Sequence, residues 1–291
     1  MTYVPAFRKA FKIDKKADLR SAAVAVDAIY KADEIAFSYL GNIDPEDNST
    51  GFRIHVLINL LARNFEHAQA MLVSVSTGSP ASAEALGRIV VEGSVNVMYL
   101  ATLGDSGTII QFFRSWLHEH DKRLTDWKRK VQGQEYASRV SAMIEERRKL
   151  VTGLHNFVEQ IETQCGINAH TSATEWPKSL LKRFESLGRE TDYFESYHRL
   201  SGASHITGED TLHWLLAQNM PNEVRQQMGN EAWAYSIMMT QISCMFFVDA
   251  VAACVIAHGR STNNDLQDCK NALGKAINEI ARDAGVPLLD K

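Results

Sequence analysis

At 291 residues with 45% hydrophobic content, the chain is long enough to bury a sizeable core, which excludes a disordered or linker-type protein. A net charge of −4 supplies no global basic field, the commonest electrostatic sign of a nucleic-acid binder. Four cysteines (Cys165, Cys244, Cys254, Cys269) show neither CxxC spacing nor histidines at zinc-site distance, so they read as reduced thiols, with no metal and no other cofactor expected.

In chain order, the opening "MTYVPAFRKAFKIDKK" has charge but no apolar run of signal-peptide length, so the expected location is cytoplasmic. Residues 16–40 read as a first helix, stopped by "GNIDPEDNST", and a second runs over about 52–75. Ser79 is placed to cap a third helix with Pro80 at its first position, where the missing N–H costs nothing. This third helix carries "ALGRIVVEGSVNVMYLATL" to a stop at Gly104 and Asp105. A fourth helix covers about 107–131. The fifth, about 135–163, is the clearest amphipath: Tyr136, Val140, Met143, Ile144, Leu150, Val151, Leu154, Val158 and Ile161 fall on one stripe, and Gly166 ends it.

Two shorter helical pieces follow, at 178–187 and 191–206, and then the helical spacing of "TLHWLLAQN" before Pro221. The segment from Ala232 is apolar enough to suggest a membrane span. Gln241, Ser243 and above all Asp249 interrupt it, and an uncompensated aspartate near mid-bilayer is costly, so no membrane partner is expected. A last helix covers 264–284. With no strand pattern, the expected fold is all-α: an antiparallel bundle of about nine or ten helices. It is expected as one domain over 1–291, with its core in 50–260 and an irregular excursion at 164–190.

The chemistry-bearing stretches begin with "YHRLSGASH". On a straight helix Tyr197, Ser201 and His205 form one stripe, drifting only about 40° per step. "ITGED" then supplies Thr207 as a cap, which leaves His205 in the last turn of its helix, where the dipole favours a cation. An arginine followed after four to six residues by a histidine is also the pattern of the HEPN ribonucleases, and Arg199 and His205 match it. Composition alone predicts roughly two such matches, and Arg114–His120 and Arg148–His155 match as well, so the pattern alone carries little. On an unbroken helix Arg199 and His205 point about 120° apart, so one shared site needs a bend at Gly202 or a second subunit.

In "LGRIVVEGSV", Arg88 and Glu92 stand i, i+4 among apolar neighbours, which points to a buried pair. Asp249, alone on the most apolar helix, requires a cation or a donor, with Arg88 and His205 as the expected ones. Arg88, Glu92, Tyr197, Ser201, His205 and Asp249 are therefore expected to form one polar cluster inside the bundle. Glu195 and His198 supply only one Glu-x-x-His, where a di-iron bundle needs two. Lys122, Arg123, Trp127, Lys128, Arg129 and Lys130, with Arg147, Arg148 and Lys149 on the next helix, could face one another across a hairpin and contact a polyanion such as RNA, although Asp121, Asp126, Glu145 and Glu146 dilute the charge.

"RIVVEGSVNVMYLA" and "WPKSLLKRFESLG" leading to "YFESYHRLSGASH" give the chain a likeness: it resembles the bacterial all-helical family known as domain of unknown function number 5677. The resemblance implies that Arg88, Glu92, Tyr197, Ser201 and His205 are characteristic positions, and it implies no activity. Two functions follow as expectations. One is a cytoplasmic binding or regulatory module built on the polar cluster, with an unidentified partner protein as its company. The other is a metal-independent ribonuclease of defence or toxin type, a homodimer in which His205 acts as acid or base and Arg199 (or Arg88) stabilises developing charge.

Overall fold

In the computed structural model, which describes residues 2–203, 208–260 and 264–285, 81% of the described residues are helical, in eleven helices, with no strand among them. The helices are α1 (Val4–Phe11), α2 (Arg20–Leu40), α3 (Asn48–Ser76), α4 (Pro80–Thr102), α5 (Ser106–Val131), α6 (Ala137–Cys165) and α7 (Leu180–Ser186). Helix α8 is continuous over 190–203 but changes gauge: Glu190–Asp192 is α-helical, Tyr193–His198 is π-helical, and Arg199–Ala203 is α-helical again. Then come α9 (Gly208–Gln218), α10 (Asn222–Ala257) and α11 (Asn264–Asp283). The short α1 escapes the reading above, although Pro5 in its first turn and the apolar spacing of Val4, Phe7 and Phe11 are helix signals.

The chain divides into two compact units. One holds residues 1–43, 57–102 and 180–291; the other holds 44–56 and 103–179. In the first, α10 is the axis and packs most extensively on α4, then on α11 and α2. Phe246, Phe247, Val248, Val251, Cys254 and Val255 are all buried on it, which is why the helix is apolar all round. By length and composition α10 could cross a membrane, yet 67% of its most apolar window is buried inside the protein. Gly87 lets α4 come close to its neighbours: a Cβ there would stand 2.8 Å from Ser243 Oγ and 3.3 Å from Met71 Sδ.

The second unit is built on the α5–α6 hairpin. Ile110, Leu117 and Leu124 on α5 meet Ile144, Val151 and Val158 on α6, all buried and all at seven-residue intervals, the period of a two-helix coiled seam. Asp105 caps α5 by accepting from the Thr108 amide (2.8 Å), and Ser172 donates to the same carboxylate (2.7 Å). Gln111 donates to the Ala169 carbonyl and accepts from the Trp176 amide, both at 2.8 Å. These bonds tie the helix-free stretch 166–179 back onto the first turns of α5. Gly166, at φ 64°, closes α6 in the left-handed region, as its position in the sequence suggests.

Candidate functional site

A polar seam runs along one face of α4. Arg88, Glu92 and Asn96 are spaced by fours and half-buried, so their side chains line up on the same side of the helix. The segment α7–α8 lies against them. Arg88 Nη2 donates to the Tyr197 hydroxyl (2.9 Å), and that hydroxyl donates to Glu92 Oε2 at 3.3 Å. The Arg88 guanidinium also stands 5.0 Å from the Tyr197 ring centroid, within cation–π range. One turn further along α4, Asn96 Oδ1 accepts from Arg183, which is buried.

Burial sets the electrostatics of this seam. Desolvation pushes the Tyr197 phenol above its ordinary pKa, with Arg88 opposing the shift and Glu92 adding to it. Desolvation lowers the pKa of Arg183, and the Glu92 carboxylate pulls in the other direction. The seam thus combines two guanidiniums, a carboxylate, a phenol and an amide where solvent screens them weakly.

The π-helical turn sets the position of Tyr197. A π turn accommodates an extra residue and breaks the hundred-degree register, and such turns recur at functional sites. Here it buries Ser196, while Leu200 is buried just beyond it. The Tyr193 and Tyr197 rings lie 5.5 Å apart, tilted by 31°, and Tyr197 bonds into the α4 seam. Ser201 follows on the same helix and donates to the Tyr197 carbonyl (2.9 Å), a bond within its own backbone ladder. Arg199 is exposed, and His205 lies outside the described residues.

Asp249 belongs to a second cluster, a correction to the partners expected for it. Among the described residues its cations are Arg189 (2.9 Å) and Lys270 (2.6 Å), where the sequence pointed to Arg88; His205, the other expected partner, lies outside the described residues. Arg189 also pairs with Asp192 (2.5 Å) and stands 4.4 Å from the centre of the Phe246 ring. The reason is positional: Arg189 leads directly into α8, and α11 carries Lys270 onto α10. Asn96, Arg183, Arg189, Asp192 and Lys270 are the members of these networks that sequence reasoning misses. Asn96 alone was findable, as the next member of the i, i+4 series from Arg88. Among the described residues, no group of three or more His, Cys, Asp or Glu side chains is placed to hold a metal ion; Glu195 and His198 are both exposed.

In the other unit, the basic residues do meet across the α5–α6 hairpin, but mostly in pairs with acids. Lys128 bonds Glu145 (2.7 Å), Arg129 bonds Asp126 (2.9 Å), Lys149 bonds Glu146 (2.7 Å), and Arg148 approaches Glu145 at 3.7 Å. Lys122 and Lys130 are exposed. Arg123, Trp127 and Arg147 line a groove of about 310 Å³, with the Arg147 guanidinium 5.8 Å from the Trp127 ring centroid.

No curated protein and no solved structure matches the chain. The model of a family of unknown function, DUF5677, matches residues 54–221, more than half of the chain, and that span holds Arg88, Glu92, Asn96, Arg183 and Tyr197; the chain belongs to this family.

Proposed function

We propose that this chain is a cytoplasmic binding or regulatory module whose α4 seam holds a small polar ligand. The observation that carries the reading is the Arg88–Tyr197–Glu92 network. It holds two ionisable side chains and a phenol half-buried at the point where helix α8 leaves α-helical geometry. Such a network is costly to build, and a hydrophobic seam of similar volume would serve packing as well or better. The two guanidiniums favour a ligand that carries an anionic group. The burial of most of the apolar window of α10 supports a chain that works away from the bilayer.

The test is thermal denaturation of the full chain against inorganic phosphate, pyrophosphate and the common mononucleotides. The reading expects at least one of them to raise the melting temperature, because a ligand bound only by the folded state stabilises it. Arg88→Ala should abolish that rise, and Arg199→Ala should leave it intact. A rise that survives both Arg88→Ala and Tyr197→Phe, or none with any compound, would set the reading aside.

A second reading, a metal-independent ribonuclease acting as a homodimer, draws on one observation: Arg199 is exposed and immediately follows the π-helical turn. Expression of the wild type and of His205→Ala separates the two. Growth arrest and RNA cleavage that depend on His205 support the enzyme; intact RNA with both removes it.

A further inference from the structure

The two long edges of the α5–α6 hairpin differ. One is closed by polar links between the helices: Arg114 to Glu162 (2.5 Å), Asp121 to His155 (3.1 Å), Arg148 to Thr125 (3.2 Å) and Lys128 to Glu145 (2.7 Å). Arg114, Asp121 and Lys128 recur at seven-residue intervals, the period of the buried seam beside them. The opposite edge follows the same period but is apolar and open. Met143, Leu150 and Phe157 on α6 are 47%, 65% and 57% exposed, and Trp116 on α5 is 54% exposed. The amphipathic stripe of α6 is therefore two rows: Ile144, Val151 and Val158 close the hairpin, and the neighbouring row faces outward.

We propose that this open edge is the docking surface for an acidic amphipathic helix of another protein, which would complete a three-helix bundle. The heptad spacing of Met143, Leu150 and Phe157 offers a helix three successive anchoring points at the rise it needs. The charges specify its sign. Arg123 and Arg147 line the groove along this edge and Lys130 continues the α5 row one heptad on, against Glu119 at the groove and Glu146 beside Met143 and Leu150, the latter acid already paired with Lys149. A partner helix with carboxylates flanking its apolar row meets complementary potential there.

Two other occupants fit less well. A second copy packed parallel to the first would bring Arg123, Lys130 and Arg147 against the same cations along the seam. A single-stranded nucleic acid stacks its bases on aromatic faces. The middle of this row is aliphatic, and the chain carries a net charge of −4. The inference stands apart from the α4 seam and does not depend on it.

The probe is a fluorescently labelled synthetic peptide of leucine-centred heptads flanked by glutamates, titrated with the full chain and followed by anisotropy. A scrambled peptide of the same composition and an oligouridylate serve as controls. The expected result is roughly micromolar binding of the heptad peptide alone, weakening with added salt. Leu150→Asp and Arg147→Glu should each weaken it by about tenfold. Both positions are exposed, so unchanged circular dichroism and melting temperature control for folding. Absence of binding, equal binding of the scrambled peptide, or an oligouridylate bound in preference overturns the proposal. So does a dimer, seen in sedimentation, that Leu150→Asp dissolves.

Discussion

The carboxylates of Asp249 and Glu146 both sit beside cations, and they should behave in opposite ways. The Asp249 side chain is 13% exposed and shared by Arg189 and Lys270, in the unit whose axis is the apolar α10. The Glu146–Lys149 pair on the α5–α6 hairpin is 72% and 73% exposed. The distances are similar, at 2.6–2.9 Å and 2.7 Å, so proximity does not separate the two. Solvent does. Water screens the hairpin pair and competes for both of its partners, whereas at Asp249 removal of one partner leaves the others part-buried with their charge.

The sharpest contrast is expected between the core of the α10 unit and the hairpin surface. Phe247→Ala empties a fully buried site in contact with Phe65 and should cost about 3–5 kcal/mol in denaturant unfolding. Asp249→Ala should follow, at about 2–3 kcal/mol, because Arg189 and Lys270 lose a shared counter-charge while partly shielded. A loss as small as that of a surface pair would show that water reaches this cluster freely.

Asp33 on α2 gives a smaller, pH-dependent effect. Burial raises its carboxyl pKa to about 6. The folded chain therefore holds this proton at pH values where the unfolded chain has released it, and the contribution to stability falls as pH rises from about 4 to 6. Asp33→Asn should remove that slope and make the chain more stable above pH 6, read as melting temperature against pH. An unchanged slope would place the titration elsewhere. At the bottom of the scale, Glu146→Gln should change stability by less than about 0.5 kcal/mol in the same unfolding assay.

The helices were legible because their apolar period is strong and their stops are chemical. The Asp105 cap, Pro80 and Gly166 each stand at an end that the sequence marks. Alignment within a helix was legible too: Arg88 and Glu92 are four apart on α4, and both reach Tyr197. Choice between helices was not. Nothing local tells that Asp249 turns to Arg189 and Lys270, residues on two other elements, or that Asn96 receives Arg183. The π-helical turn at Tyr193–His198 was equally hidden, since no residue type marks a π turn. The α6 stripe shows the limit of periodicity itself. Seven-residue spacing identifies Tyr136, Met143 and Leu150 as apolar and aligned, but does not say whether that row meets a neighbour inside the fold or faces outward.

The central claim is that the α4 seam exists to hold a ligand, and native mass spectrometry of the chain purified from cells tests it most directly. The account predicts a small non-covalent adduct on the wild type that is lost in Arg88→Ala, with the helical content of the variant unchanged. The same adduct on both proteins, or bare chains in both spectra, would contradict it.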